Sequence, residues 1–246
     1  MIKFVIFCTK AILIAVAALL MTSCKYDIDL GDGINGSGNV IKENRTVSET
    51  FTKIKVNRGI EVIVEQANET AIEVEADDNI IKHITTTVEN GVLVISTDES
   101  INSSDTQTVR VKMPTISSLI STSGSTIRSK NTLKGTYLKI DSNSGSEIEL
   151  VLEYDDVKTE ASSGSSINLA GKALKLDTDS SSGSELNASN LAANDISSDA
   201  SSGSSTSVQP LISLDAKASS GSSISYKGTP KTVNEDESSG GDVSKN

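Results

Sequence analysis

The sequence predicts an all-β protein: a right-handed parallel β-helix, or β-solenoid, of about 19-residue coils, preceded by a strand-rich N-terminal part packed in line with it. Three observations carry this. A Ser-Gly-Ser motif recurs with glycines at 124, 145, 164, 183, 203 and 221, and a degenerate copy at 240; the spacings are 21, 19, 19, 20, 18 and 19. A flexible Gly/Ser linker has no reason to keep such a period. Aliphatic residues keep register with those glycines: Leu138, Val157, Leu176, Ile196, Leu214 and Val233 stand seven before six of them, and Ile127, Ile148, Ile167, Leu186 and Ile224 three after. Finally, residues 46–115 alternate apolar and polar with a period of two, and no helical pattern of useful length follows Cys24.

Taken in chain order, residues 1–23 read as a secretory signal peptide. Lys3 and Lys10 flank an apolar start, Ala11 to Leu20 is the apolar run, and the small residues Thr22 and Ser23 precede Cys24. The run is shorter than the ~20 residues a membrane span needs. Leu20-Met21-Thr22-Ser23-Cys24 also resembles a bacterial lipobox, which makes Cys24 the lipid attachment site and the membrane the first expected partner; the alternative is an ordinary signal peptide with an incidental cysteine. The other cysteine, Cys8, lies in the leader, so no disulfide is expected.

Residues 24–40 read as a lipidated tether. They contain Gly31-x-Gly33-x-x-Gly36, but no strand precedes it and no helix follows, so the nucleotide reading fails. Asp27, Asp29 and Asp32 lack the spacing of a calcium loop. Residues 41–115 form the N-terminal β region, the head of the solenoid, with "FTKIKV", "GIEVIVEQ", "TAIEVEAD", "GVLVIST" and "QTVRVKM" as strands, Asn90-Gly91 as a hairpin turn and one possible helical turn in "DDNIIKHI".

Residues 116–232 form the repeat solenoid. Each coil stacks on the next at about 4.8 Å, so six intervals span about 29 Å. Gly124, Gly145, Gly164, Gly183, Gly203 and Gly221 are the structural corner glycines, where positive φ carries no Cβ penalty. Ser117 occupies the aliphatic column position before Gly124, marking where head and rod merge. Residues 233–246 are an acidic C-terminal tail. Glu235, Asp236 and Glu237 either blunt the open edge of the last coil or belong to a frayed terminus.

The charge is −11; without residues 1–23 there remain 20 basic and 33 acidic residues, a net −13. That balance argues against nucleic acid as a partner. His83 is the only histidine and is expected to be an exposed surface residue, which leaves no base for a serine triad. No cysteine or histidine cluster could hold zinc, and no cofactor is implied. The acidic pairs Asp177/Asp179 and Glu147/Glu149 read as solvated strand faces. The chain is therefore expected not to be an enzyme.

"GSGNVIKENRTVSETFTKIKVNRGIEVIVEQ", "VEADDNIIKHITTTVENGVLVIST" and the repeats resemble the head GIN domain family, exported bacterial proteins described as auto-transporter adhesins. The resemblance runs from about Gly36 to Thr229. It is most specific at Gly36-Ser37-Gly38-Asn39-Val40, at Gly59-Ile60-Glu61-Val62 and in the repeat ladder. It implies a right-handed β-helix-like fold, a surface or periplasmic setting and no catalytic residues. The expected function is a cell-envelope binding or adhesion module for an unidentified glycan or protein. The alternatives are a structural or sensory scaffold, and a β-helix lyase or hydrolase. An exposed apolar patch would favour the first, uniformly charged faces the second, and converging carboxylates of perturbed pKa the third. The expected location is the outer membrane, at the cell surface or the periplasmic face. The ligand, the membrane side and the oligomeric state stay open.

Overall fold

In a computed structural model the described residues are 33–246, and those from Ile34 onward form one unit. Cys24 and the stretch expected to be a leader, residues 1–23, lie outside them. The strands are β1 (Ile34–Asn35), β2 (Val40–Arg45), β3 (Lys53–Val56), β4 (Glu61–Gln66), β5 (Ala71–Asp77), β6 (Ile84–Glu89), β7 (Val92–Thr97), β8 (Ile101–Ser103), β9 (Gln107–Met113), β10 (Ser118–Ser121), β11 (Thr126–Ser129), β12 (Leu133–Ser142), β13 (Glu147–Ala161), β14 (Ser166–Ser180), β15 (Glu185–Ala200), β16 (Ser205–Ala218), β17 (Ser223–Tyr226), β18 (Thr232–Glu237) and β19 (Asp242–Lys245). A 3-10 turn, Ile81–His83, falls within the stretch expected to make one helical turn.

The rod is a stack of parallel coils. Each coil has a leading arm after its glycine corner and a trailing arm before the next one. Leading arms pair in parallel from β9 through β4, β11, β13, β14, β15, β16 and β17 to β19. Trailing arms run from β7 through β3, β10 and β12 to β16 and β18. Strands of alternating polarity bury every second side chain, so the inward residues line up between the arms. One such column runs Leu138, Val157, Leu176, Ile196, Leu214; all are buried. Inward hydroxyls satisfy one another: Thr178 Oγ1 donates to Ser198 Oγ at 2.8 Å, and Ser180 and Thr206 share a 2.7 Å bond. Ser117 does not enter its column. Its hydroxyl lies on Thr52, while Ile116 and Leu119 are buried instead.

The head ends the parallel stack by reversing direction. β6 pairs antiparallel with β7, β5 with β9, and β2 with β5. The Asn90-Gly91 turn has φ of 52° and 75°, the two left-handed residues that a type I′ hairpin needs. Ile80, Ile81 and Ile84, in and beside the 3-10 turn, are buried.

Two expected segment boundaries need correction. Residues 34–40, read as tether, are folded: β1 pairs with β8, and β2 begins at Val40. Here Gly38 N–H donates to Asp77 at 2.7 Å, Ser37 N–H to Asn79 at 3.0 Å and Asn39 Nδ2 to Asp78 at 2.8 Å. A Cβ on Gly36 would lie 2.6 Å from the Asp77 carboxylate, which explains the glycine. Residues 233–246, read as a tail, form the last coil, because β18 and β19 stay in register with β16 and β17.

Candidate functional site: a corner ladder and a groove in the head

The repeat motif builds the corners. Gly124, Gly145, Gly164, Gly183, Gly203 and Gly221 have φ between 69° and 73°. The serine before each is also left-handed, with φ of 52–56° at Ser123, Ser144, Ser163, Ser182, Ser202 and Ser220. A close turn follows, in which Ser165 N–H donates to Ser162 O at 3.2 Å. Each glycine N–H then donates to the left-handed serine of the next coil, as Gly164 does to Ser182 O at 3.1 Å.

The serine after each glycine is the buried one. In each of these corners its Oγ accepts from the backbone N–H three residues back and donates to a carbonyl of the preceding coil. Ser165, for example, accepts from Ser162 N at 3.1 Å and donates to Ser142 O at 2.6 Å. Ser146, Ser184, Ser204 and Ser222 repeat this geometry, with donor distances of 2.7, 2.9, 2.9 and 2.8 Å. Arg58-Gly59 is one earlier corner of the same kind, since Gly59 N–H donates to Ser123 O. The corner is thus architectural, and its polar atoms are spent on the fold.

A concave feature with both apolar and charged lining lies in the head, on the outward side of the leading arms. Parallel pairing sets Ile63 beside Arg110 and Arg128, and Glu65 beside Lys112; antiparallel pairing sets Glu73 beside Arg110 and Ala71 beside Lys112. The groove between them has a volume of about 380 Å³, with Ile63, Ala71 and Val111 among apolar lining residues and Glu65, Glu73, Arg110, Lys112 and Lys130 among charged ones. Lys130 pairs with Glu65 at 2.9 Å, and Arg110 with Glu75 at 2.9 Å. The Lys130 bond holds the Glu65 carboxyl below its usual range. Arg110 Nη1 has no hydrogen-bond partner. Beside the groove, Arg128 gathers Glu61, Glu147 and Glu149 at 2.7, 3.1 and 3.1 Å. Burial pushes this guanidinium down, but the three carboxylates outweigh it and hold it above its ordinary value.

None of the groove residues stood out in the sequence, because positions 63–73 and 110–112 meet through β4–β9–β5 pairing and 130 through β11 beside β4. The available signal was their outward phase in three alternating strands.

The trailing arms carry an outward acidic column, Asp141, Glu160, Asp179 and Asp199, in register. Burial, then the charges of Asp199 and Glu160, push the Asp179 carboxyl up. No aromatic ring lines the depression beside Asp179 and Asp199. His83, expected to be exposed, is four-fifths buried at its side chain, and its Nδ1 lies 2.9 Å from Asp98. No group of three potential metal ligands occurs among the described residues.

A family model described as "Putative auto-transporter adhesin, head GIN domain" matches residues 50–230. No curated protein matches the chain. Among solved structures, a "putative adhesin" from Bacteroides fragilis is 21% identical, with a TM-score of 0.81 over 87% of this chain and 100% of that one. A "putative adhesin" from Parabacteroides merdae is 21% identical, with a TM-score of 0.67 over 87% and 98%. A "putative lipid binding protein" from Parabacteroides distasonis is 17% identical, with a TM-score of 0.70 over 87% and 99%. These likenesses concern the fold.

Proposed function

The chain belongs to the head GIN domain family, and from that premise we propose that it is a non-catalytic binding module of the cell envelope, held to the membrane through a lipid on Cys24. The observation that carries the binding role is the head groove. Its apolar lining and paired charges suit an amphipathic ligand, such as a glycan or an extended protein segment with an apolar body and polar substituents. The volume is within the range of small-ligand sites. The family description and the names of the similar structures support an adhesin-like role. The exported location rests on the leader and on that same family.

The test is a screen of glycans and host-matrix proteins against residues 25–246, followed by titration of any hit against Ile63→Asp and Arg110→Gln. Ile63 and Arg110 are neighbours on the outward face. Each variant is expected to lose at least about tenfold in affinity, or about 1.4 kcal/mol. A hit that both variants bind as tightly as the parent refutes the groove as its site.

A further inference from the structure

The two ends of the rod differ: the head reverses strand direction, whereas the last coil keeps an open strand edge among the described residues. A parallel solenoid ends in open strand edges that can pair with another chain. Here β18 pairs in the ladder only with β16, and β19 only with β17, so each keeps one free edge among the described residues. No described residue covers this end: Val233, which continues the Leu214 column, is 38% exposed.

Val233 and Val243 keep the aliphatic columns, but three other inward positions of the last coil break the pattern of the coils before it. Register aligns Glu235 with Ala216, Glu237 with Ala218 and Lys245 with Tyr226. Ala216 and Ala218 are buried, so Glu235 and Glu237 occupy the interior columns, two and four residues on from Val233 along the same strand face. Their contacts agree. Tyr226 Oη, from the opposite arm, donates to Glu235 at 3.2 Å, and Val243 N–H donates to Glu237 at 2.7 Å. No ion pair joins Lys245 to either carboxylate among the described residues. Asp236, between the two, aligns with Lys217 in an outward column.

We propose that Glu235, Glu237 and Lys245 are a stop against a second copy of this chain stacking on the C-terminal edge. A copy whose edge strands extended the ladder would close over these positions, as the last coil now closes over Ala216 and Ala218. It would strand two carboxylates and an ammonium group in a dry interior. The acidic charge of the end is secondary, since an outward carboxylate such as Asp236 stays in water whether or not the edge pairs. Inward-pointing charge is a known protection of sheet edges, and here it falls on the coil whose outer edge no described strand pairs.

Sedimentation velocity of residues 25–246 over a concentration range tests the proposal. Glu235→Ala with Glu237→Ala and Lys245→Tyr restores the residues of the preceding coil. This variant is expected to at least double its mass relative to the parent as concentration rises. Glu235→Ser with Glu237→Ser and Lys245→Val uses residues already present in these columns at Ser198, Ser180 and Val208, and guards against failure of the first variant to fold. Asp236→Asn alone is expected to keep the parent's mass. The proposal is overturned if the folded triple variants keep the parent's mass throughout, or if Asp236→Asn assembles as they do.

Discussion

At the scale of single residues, the glycine of each corner and the serine before it do different work. A Cβ on Gly164 would meet nothing within 4 Å, so space is not the reason for glycine. The reason is φ, which is 69° there. Gly164→Val is expected to cost about 1–3 kcal/mol, read as a lower melting temperature, because a β-branched residue is strained in that region. An unchanged melt would count against the corner assignment. Ser163 shows that one non-glycine per corner can be held left-handed, at φ 54°, when flanking bonds fix it. The period marked the glycine, but the serine's backbone has no sequence signature. Asp179 allows a pH test. Burial and the charges of Asp199 and Glu160 raise its pKa above the ordinary 3.8, so its ionised form is a net cost to the fold. That cost is present above the raised value and is relieved as pH falls through it. Asp179→Asn is therefore expected to melt higher than the parent at neutral pH, with the gain vanishing in acid. A gain that persists when Asp179 is protonated would show another cause.

At the scale of the coil, the buried serine is the link between neighbours. Ser165 has two bonds to the backbone, one within its turn and one to the coil before. Ser165→Ala leaves Ser142 O without that donor and Ser162 N–H without that acceptor, and is expected to cost about 1–3 kcal/mol in chemical denaturation. Ser163→Ala, at the exposed corner position, serves as control and is expected to change little. The coils were legible because inward aliphatics and glycines share one period. The division of labour between the two serines of each motif was not, since composition is the same on both sides of the glycine. The folded stretch 34–40 was missed for a related reason. Its glycines read as tether, whereas Gly36 makes room for Asp77, a residue 41 positions away, whose carboxylate takes the Gly38 N–H.

At the scale of the molecule, the head and the rod divide the tasks. The rod repeats one solution to backbone hydrogen bonding, while the head reverses strand direction and sets Arg110 and Lys112 beside Glu73, Glu75 and Glu65. The head groove lay beyond sequence reading because it joins strands related by pairing, not by period. Membrane attachment is argued at this scale too. Cys24→Ala is expected to move the protein from the detergent-extracted membrane fraction to the soluble one, measured by fractionation; continued membrane retention would sink the lipid anchor.

The contacts of residues 34–39 have a mechanical consequence. Tension entering the folded part from its N-terminal side reaches β1 first, then the bonds of Ser37, Gly38 and Asn39 to Asp77, Asp78 and Asn79, before it reaches β2. Those few bonds form a shear clamp in series with the rest. A load strong enough to open them would release residues 34–39 while the parallel pairing of the rod, and the groove beside β4, stayed in place.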